Sequence, residues 1–227
     1  AEINVHFDSI IQGKASTAIN YTATFPIEGK HDQVRLEAYD DQGNEINISS
    51  DGIDLETVKE NNRIIVKGRS IIPQSIKGET SYIEVLPKVA LSEPDRFIKL
   101  DEGTPVEINS ERQDLAVEIE NITVQDKNII FDFQINNGNN MDQDFLFYSN
   151  IARNDVILVK ETEKDIYQEP IKHSVEVINK DDLRFTNTFD ISKIKDFNLK
   201  DYVIRVNMGS LSANIPVELE KVRIDLN

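Results

Sequence analysis

Polar and apolar residues alternate along most of this chain. Ile3, Val5 and Phe7 share one parity and Asn4, His6 and Asp8 the other, and successive side chains of an extended strand point to opposite faces. The same period of two runs through Ile19, Tyr21, Ala23 and Phe25, then Val34, Leu36 and Ala38, and later Phe131, Phe133 and Ile135 against Ile130, Asp132 and Gln134. Clean alternation predicts antiparallel sheets with one buried and one wet face. The segment DDQGN (Asp40 to Asn44) separates two such runs, and its Gly43 can adopt the positive φ of a tight hairpin. Helical periodicity is nearly absent, and SIKGET after Pro73 and SKIKDF after Ile191 predict single turns. Near the end, Ile215, Val217 and Leu219 change phase to Val222, Ile224 and Leu226. That shift predicts a β-bulge near Glu220 and Lys221, with Pro216 at an edge.

The pattern is stated twice. IQGKASTAINYTATF (Ile11 to Phe25), VRLEAYDDQGNEI (Val34 to Ile46) and IPQSIKGETSYIEVLP (Ile72 to Pro87) are answered by VQDKNIIFDFQI (Val124 to Ile135), DVILVKETEKDIY (Asp155 to Tyr167) and ISKIKDFNLKDYVIRVN (Ile191 to Asn207). Lys14 and Lys127 lie 113 residues apart and Tyr82 and Tyr202 lie 120 apart, so the register drifts by a few loop residues. The expected fold is all-β, two tandem immunoglobulin-like antiparallel β-sandwich domains over residues 1–102 and 103–227, joined at DEGT (Asp101 to Thr104). Tyr82 and Tyr202 each open a β run after a turn, where a tyrosine hydroxyl can satisfy backbone groups at a strand corner.

Charge narrows the function classes. The formal net charge is −16; residues 1–100 hold 11 basic and 16 acidic side chains, the remainder 14 and 25. An acidic surface repels phosphate backbones and anionic headgroups, so no nucleic-acid partner is expected. No apolar run approaches the roughly 20 residues of a membrane helix, so this segment is expected not to insert in a membrane directly. The chain has no cysteine, which removes disulfides, thiolate chemistry and most structural zinc sites. Its start, AEINVHFDS, has neither an initiator Met nor a signal-peptide core and reads as that of an excised piece.

Candidate chemistry is sparse. His6, His31 and His173 show no HxH or HExxH spacing and read as solvated side chains. No GxSxG elbow, GxGxxG loop or GxxxxGK[ST] loop occurs. Asp40 with Asp41, and Asp142 with Asp144, could act as acid and base only if a cleft raised one pKa. DDQGNE (Asp40 to Glu45) and NNGNNMDQD (Asn136 to Asp144) offer oxygen ligands to calcium, although turn-forming residues explain both stretches equally well. The triplets at Asn20, Asn47 and Asn121 match the glycan acceptor pattern, as an Asn-rich chain does by chance. The expectation is of no enzyme activity and of no catalytic, cofactor-binding or metal residue, with binding through exposed strand edges as the plausible activity.

The paired β module, the Y-[DE]-x-x-G-[NK]-x-I hairpin from Tyr39 to Ile46 and the segment IPQSIKGETSYIEV resemble the extracytoplasmic portions of single-span membrane proteins of Gram-positive bacteria (Bacillota). Those proteins include an anti-sigma-factor-like family of unknown function. The resemblance implies a sensing or scaffolding module anchored to the cell membrane through a segment outside this sequence, with a protein or envelope component as partner; it carries no site residue onto this chain. The alternatives are a cell-surface adhesin or wall-associated binding module, and a carbohydrate-binding accessory domain. The last is weakened by the absence of Trp and kept open by six Tyr.

Overall fold

The computed structural model describes residues 3–49, 52–76, 78–138 and 143–226. The alternating stretches become strands and every pairing among the described residues is antiparallel. The chain divides into two units, Ala1–Ser92 together with Pro216–Asn227, and Glu93–Ile215.

The first unit contains β1 (Asn4–Gln12), β2 (Thr17–Pro26), β3 (Gln33–Asp40), β4 (Glu45–Ile46), β5 (Ile53–Glu60), β6 (Arg63–Ile72) and β7 (Tyr82–Ala90). One sheet runs in the order β1-β2-β6-β5 and another places β7 beside β3 and β3 beside β4. Ile19, Tyr21, Ala23 and Phe25 of β2 face Val34, Leu36, Val85 and Val89 of the second sheet in one core. Each large apolar side chain so buried contributes about 1.5–3 kcal/mol. Tyr21 is seated by the absence of a side chain at Gly68, its cross-strand partner, where an added Cβ would collide with the phenol ring. Burial first, and the Asp54 carboxylate second, push the Tyr21 hydroxyl up to about 12.

The second unit contains β8 (Arg96–Lys99), β9 (Val106–Asn109), β10 (Ala116–Gln125), β11 (Asn128–Asn136), β12 (Val156–Lys160), β13 (His173–Asn179), β14 (Arg184–Asp190) and β15 (Tyr202–Val206), with helices α1 (Phe145–Asn154) and α2 (Met208–Asn214). Its sheets run β13-β14-β11-β10-β9 and β12-β15-β8. The core is built on stacked rings: Phe145 on Phe185 at 6.0 Å, Phe185 on Phe133 at 5.3 Å, Phe133 beside Phe131 at 6.1 Å, Phe131 on Phe189 at 5.8 Å and Phe189 on His173 at 4.7 Å. The buried Asn187 on β14 donates its amide to the Val156 carbonyl of β12 at 2.9 Å, tying one sheet to the other.

The doubled pattern has a doubled topology. The order β1-β2-β6-β5 recurs as β10-β11-β14-β13, and the β3–β7 pair as β12–β15. The closing strands are crossed. β7 is flanked by β16 (Val217–Glu218) and β17 (Val222–Asp225), which follow the second unit in sequence, while β15 is flanked by β8, which follows β7. The expected division at residues 102 and 103 is therefore replaced by one at Ser92 and Glu93, with DEGT inside the second unit between β8 and β9. The reason is pairing: Val217 and Val222 to Asp225 hydrogen-bond along β7, not within 103–227.

The predicted bulge is present. Val217 pairs with Val89 and Val222 with Val85, so one extra residue lies on the closing segment between them. The cause sits opposite: Pro87 accepts from Leu219 N at 2.9 Å, and its missing N–H points to the same side, so the ladder cannot continue there. Gly43 takes φ +82° in the β3–β4 hairpin, as read from DDQGN. The near-absence of helix does not hold at two places. Asp144 caps α1 by accepting from Phe147 N at 3.0 Å, and Tyr148, Ile151 and Ala152 bury one helical face; Asn207 caps α2 by accepting from Ser210 N at 2.9 Å.

Candidate functional site

The residues singled out from the sequence are dispersed. His6 is exposed and lies 3.8 Å from Asp8. His31 is exposed in the turn that follows the short helix Ile27–Gly29. His173 is structural rather than solvated: its ring stacks on Phe189, Nδ1 faces the Ile171 carbonyl at 3.2 Å and Nε2 the Arg153 carbonyl at 2.8 Å.

The Asp40 carboxylate folds its own turn, accepting from Gln42 N at 3.0 Å and from Asn44 N at 2.8 Å, and Asp41 accepts from Ser81 N at 2.8 Å. Both carboxylates are engaged by backbone N–H donors. Of the second acidic stretch, Asp144 is a helix cap and residues 139–142, including Asp142, lie outside the described residues. Among the described residues no group of three His, Asp or Glu side chains is arranged to hold a metal. Tyr82 Oη donates to the Asp41 carbonyl at 3.3 Å, reaching the β3–β4 turn; Tyr202 packs against Phe197 at 5.1 Å.

Two polar surfaces emerge that the search for motifs missed. The first is a cleft of about 590 Å³ in the second unit. Glu107 of β9, Glu118 of β10 and Gln134 of β11 stand in successive cross-strand positions along one wall. Asn136, Asn137, Gln143, Tyr148, Lys180, Asp181 and Asp182 add to its polar lining. A hydrogen bond shared with Glu120 holds the Glu118 carboxyl above the ordinary carboxylate range, and burial and the charges of Glu120 and Glu107 act in the same direction. Arg184 acts in the opposite direction, its charge favouring the ionised Glu118 while it donates to Glu120 at 2.8 Å and to Gln134 at 3.4 Å. Lys180 sits 5.1 Å over the Phe145 ring, whose stacking on Phe185 already uses a face. The cleft offers many acceptors and few free ring faces.

The second surface is the solvent face of the β3–β7 sheet. Alternation puts Glu37 and Tyr39 on the same face as Tyr82, Glu84 and Lys88, and the returning segment adds Glu218, Lys221 and Arg223. Lys88 donates to Glu37 at 2.6 Å and to Glu218 at 3.2 Å. That Lys88 bond holds the Glu37 carboxyl below its ordinary value; Glu37 and Glu218 hold the Lys88 ammonium above its own against the opposing cost of burial. Tyr39 Oη donates to Glu37 at 2.8 Å, a bond that pushes the hydroxyl up. Period-two polar positions in β3 and β7 were legible; that a segment some 130 residues later would join them was not.

A family model matches residues 1–119, just over half of the 227 residues. The chain belongs to DUF5643, a family of unknown function. The DUF5643 match takes in β1 to β7 and runs on through β8 and β9 into β10, where Ile119 pairs with Phe133 and Val106. Most of the cleft, and the segment that returns to β7, lie beyond it. No curated protein matches the chain, and no solved structure matches it.

Proposed function

We propose that this DUF5643 chain is a non-enzymatic extracytoplasmic binding module, two immunoglobulin-like sandwiches that sense or scaffold at the envelope of a Gram-positive cell as part of a membrane-anchored, anti-sigma-factor-like protein. The observation that carries the reading is the repeated strand order with its open edges: β5 is exposed at all eight positions, and its counterpart β13 exposes Val177 and Ile178. Unpaired edges of this kind accept extended partner strands through main-chain hydrogen bonds. Binding by surface also agrees with a Cys-free, acidic chain whose Asp40 and Asp41 accept from backbone N–H groups, whose Asp144 caps a helix and whose His173 stacks on Phe189.

The location is tested on the whole parent protein in its native host. Because the chain has no cysteine, Lys14→Cys at the β1–β2 turn introduces the one thiol within it, and the unsubstituted parent protein supplies the labelling background. Labelling by a membrane-impermeant maleimide in intact cells, at the level seen after permeabilisation, is the expected result; labelling only after permeabilisation would place the module in the cytoplasm. A second reading, carbohydrate binding, draws on the amide and carboxylate lining of the cleft. Glycan-array signal that is lost in Gln134→Ala would favour it.

A further inference from the structure

The closing segment of the first unit differs from β8, its counterpart on β15. It reaches β7 after the whole second unit has intervened in sequence, and none of residues 216–226 is buried. In the equivalent place on β15, β8 buries Ile98 at 2% exposure and is followed by Leu100 at 6%. The ladder on β7 is also broken at Pro87, leaving two paired residues in β16 and four in β17. The segment lays Val217, Leu219, Ile224 and Leu226 partly buried against the core, and the rest of its hold is on the wet face: Glu218 meets Lys88 at 3.2 Å, Lys221 stands 3.6 Å from Glu84 and 4.8 Å over the Tyr39 ring, and the Arg223 guanidinium 3.7 Å over the Tyr82 ring. Exposed ion pairs and exposed cation–π contacts are each worth little, and with its apolar side chains only partly buried this edge is held less firmly than the core strands.

We propose that the outer edge of β7 is a strand-binding site, occupied at rest by residues 216–226 as a releasable strap and open to an extended peptide from a partner protein. The chemistry of that peptide is given by the site. Apolar side chains must fall at the positions of Val222 and Ile224, opposite Val85 and Ile83. Cations must fall where Lys221 and Arg223 meet Glu84, Tyr39 and Tyr82. The main chain then pairs with β7 as the strap does, through groups such as the Ser81 carbonyl that accepts from Leu226 N at 2.9 Å. An intramolecular strap competes at high effective concentration, so a partner gains the site when the strap is loosened. The proposal does not depend on cellular location, and thiol labelling of intact cells leaves it untouched.

The test uses the full chain. Hydrogen exchange followed by NMR is expected to show the amides of β17 opening at least about tenfold faster than those of β3 on the opposite side of β7; equal protection would overturn the proposal. A synthetic peptide of residues 216–226 is then titrated into the full chain and into its Lys221→Glu/Arg223→Glu variant, whose fold is checked by its β3 and β6 signals. Binding at least about tenfold tighter to the variant, with shifts along β7, is expected. The same peptide with Glu at both cation positions should not bind. A folded variant that ignores the peptide, or shifts confined to the β5 edge, would overturn the site. Reciprocal dimers of the variant without peptide uptake would put a second copy on the edge and overturn the choice of a foreign strand.

Discussion

The two units share a strand order and solve two problems differently. The first fills its core with aliphatic side chains around Tyr21 and Phe25 and leaves β1 half-exposed, with Val5, Phe7 and Ile10 beside β17. The second fills its core with a ladder of phenylalanines and covers the corresponding β10 with β9, so that Val117 and Ile119 are at 1% and 0% exposure. A single pattern of alternation is therefore compatible with either packing, and the closing edge decides how much of the outer strands is buried. The unit closed by a late, exposed segment is the one with a surface to offer an incoming strand.

Breaking the aromatic ladder should have the largest effect. Phe185→Ala removes the ring between Phe133 and Phe145 and is expected to cost the second unit about 3–5 kcal/mol, seen in calorimetry and in loss of its amide dispersion while first-unit signals persist. Simultaneous loss of both sets would mean that the two cores are not separate. Next, Gly68→Ala presses a methyl into the Tyr21 ring and should cost the first unit about 1–3 kcal/mol; an unchanged melting curve would show that Tyr21 can swing aside.

Acidification should move the units in opposite senses through two carboxylates. Burial raises Asp155, beside Ser210 and Asn207, above its ordinary value, so its contribution is greatest when it is protonated and is lost as pH rises through the raised value. Glu37 is held low chiefly by its bond to Lys88, so its contribution is present above the ordinary carboxylate range and is lost as pH falls through the lowered value. Asp155→Asn should flatten the second unit's gain on acidification and Glu37→Gln the first unit's loss, both read from melting temperatures across the carboxylate range; the reverse assignment would refute both environments. The smallest difference concerns the two tyrosines. Tyr82→Phe should cost about 0.5 kcal/mol for the long bond to the Asp41 carbonyl, and Tyr202→Phe, whose ring lies on Phe197, should change stability less.

Much of this was legible in the chain because alternation is a local signal. The repeated runs at Ile11 to Phe25 and Val124 to Ile135 locate β2 and β11, those at Val34 and Asp155 locate β3 and β12, and those ending at Pro87 and Asn207 locate β7 and β15. The bulge at Glu220 could be read because a phase change in the pattern records it. Helix α1 was hidden because NNMDQD looks like any polar turn until Asp144 is recognised as a cap for the Tyr148, Ile151 and Ala152 face. The crossed closing strands were hidden for a different reason. Alternation states which face of a strand is apolar but not which neighbour it joins, and Val222 and Ile224 would suit β15 as well as β7. The cleft and the charged face on β7 are likewise assembled by pairing between distant segments, so no spacing in the sequence announces them.

The crossing of these strands is tested most directly by cross-strand nuclear Overhauser contacts in the labelled full chain. Backbone contacts between Ile224 and Ile83 and between Ile98 and Ile204 are predicted by the registers. Contacts of Ile98 with β7 and of Ile224 with β15 would contradict the crossing and return each closing strand to the unit that precedes it in sequence.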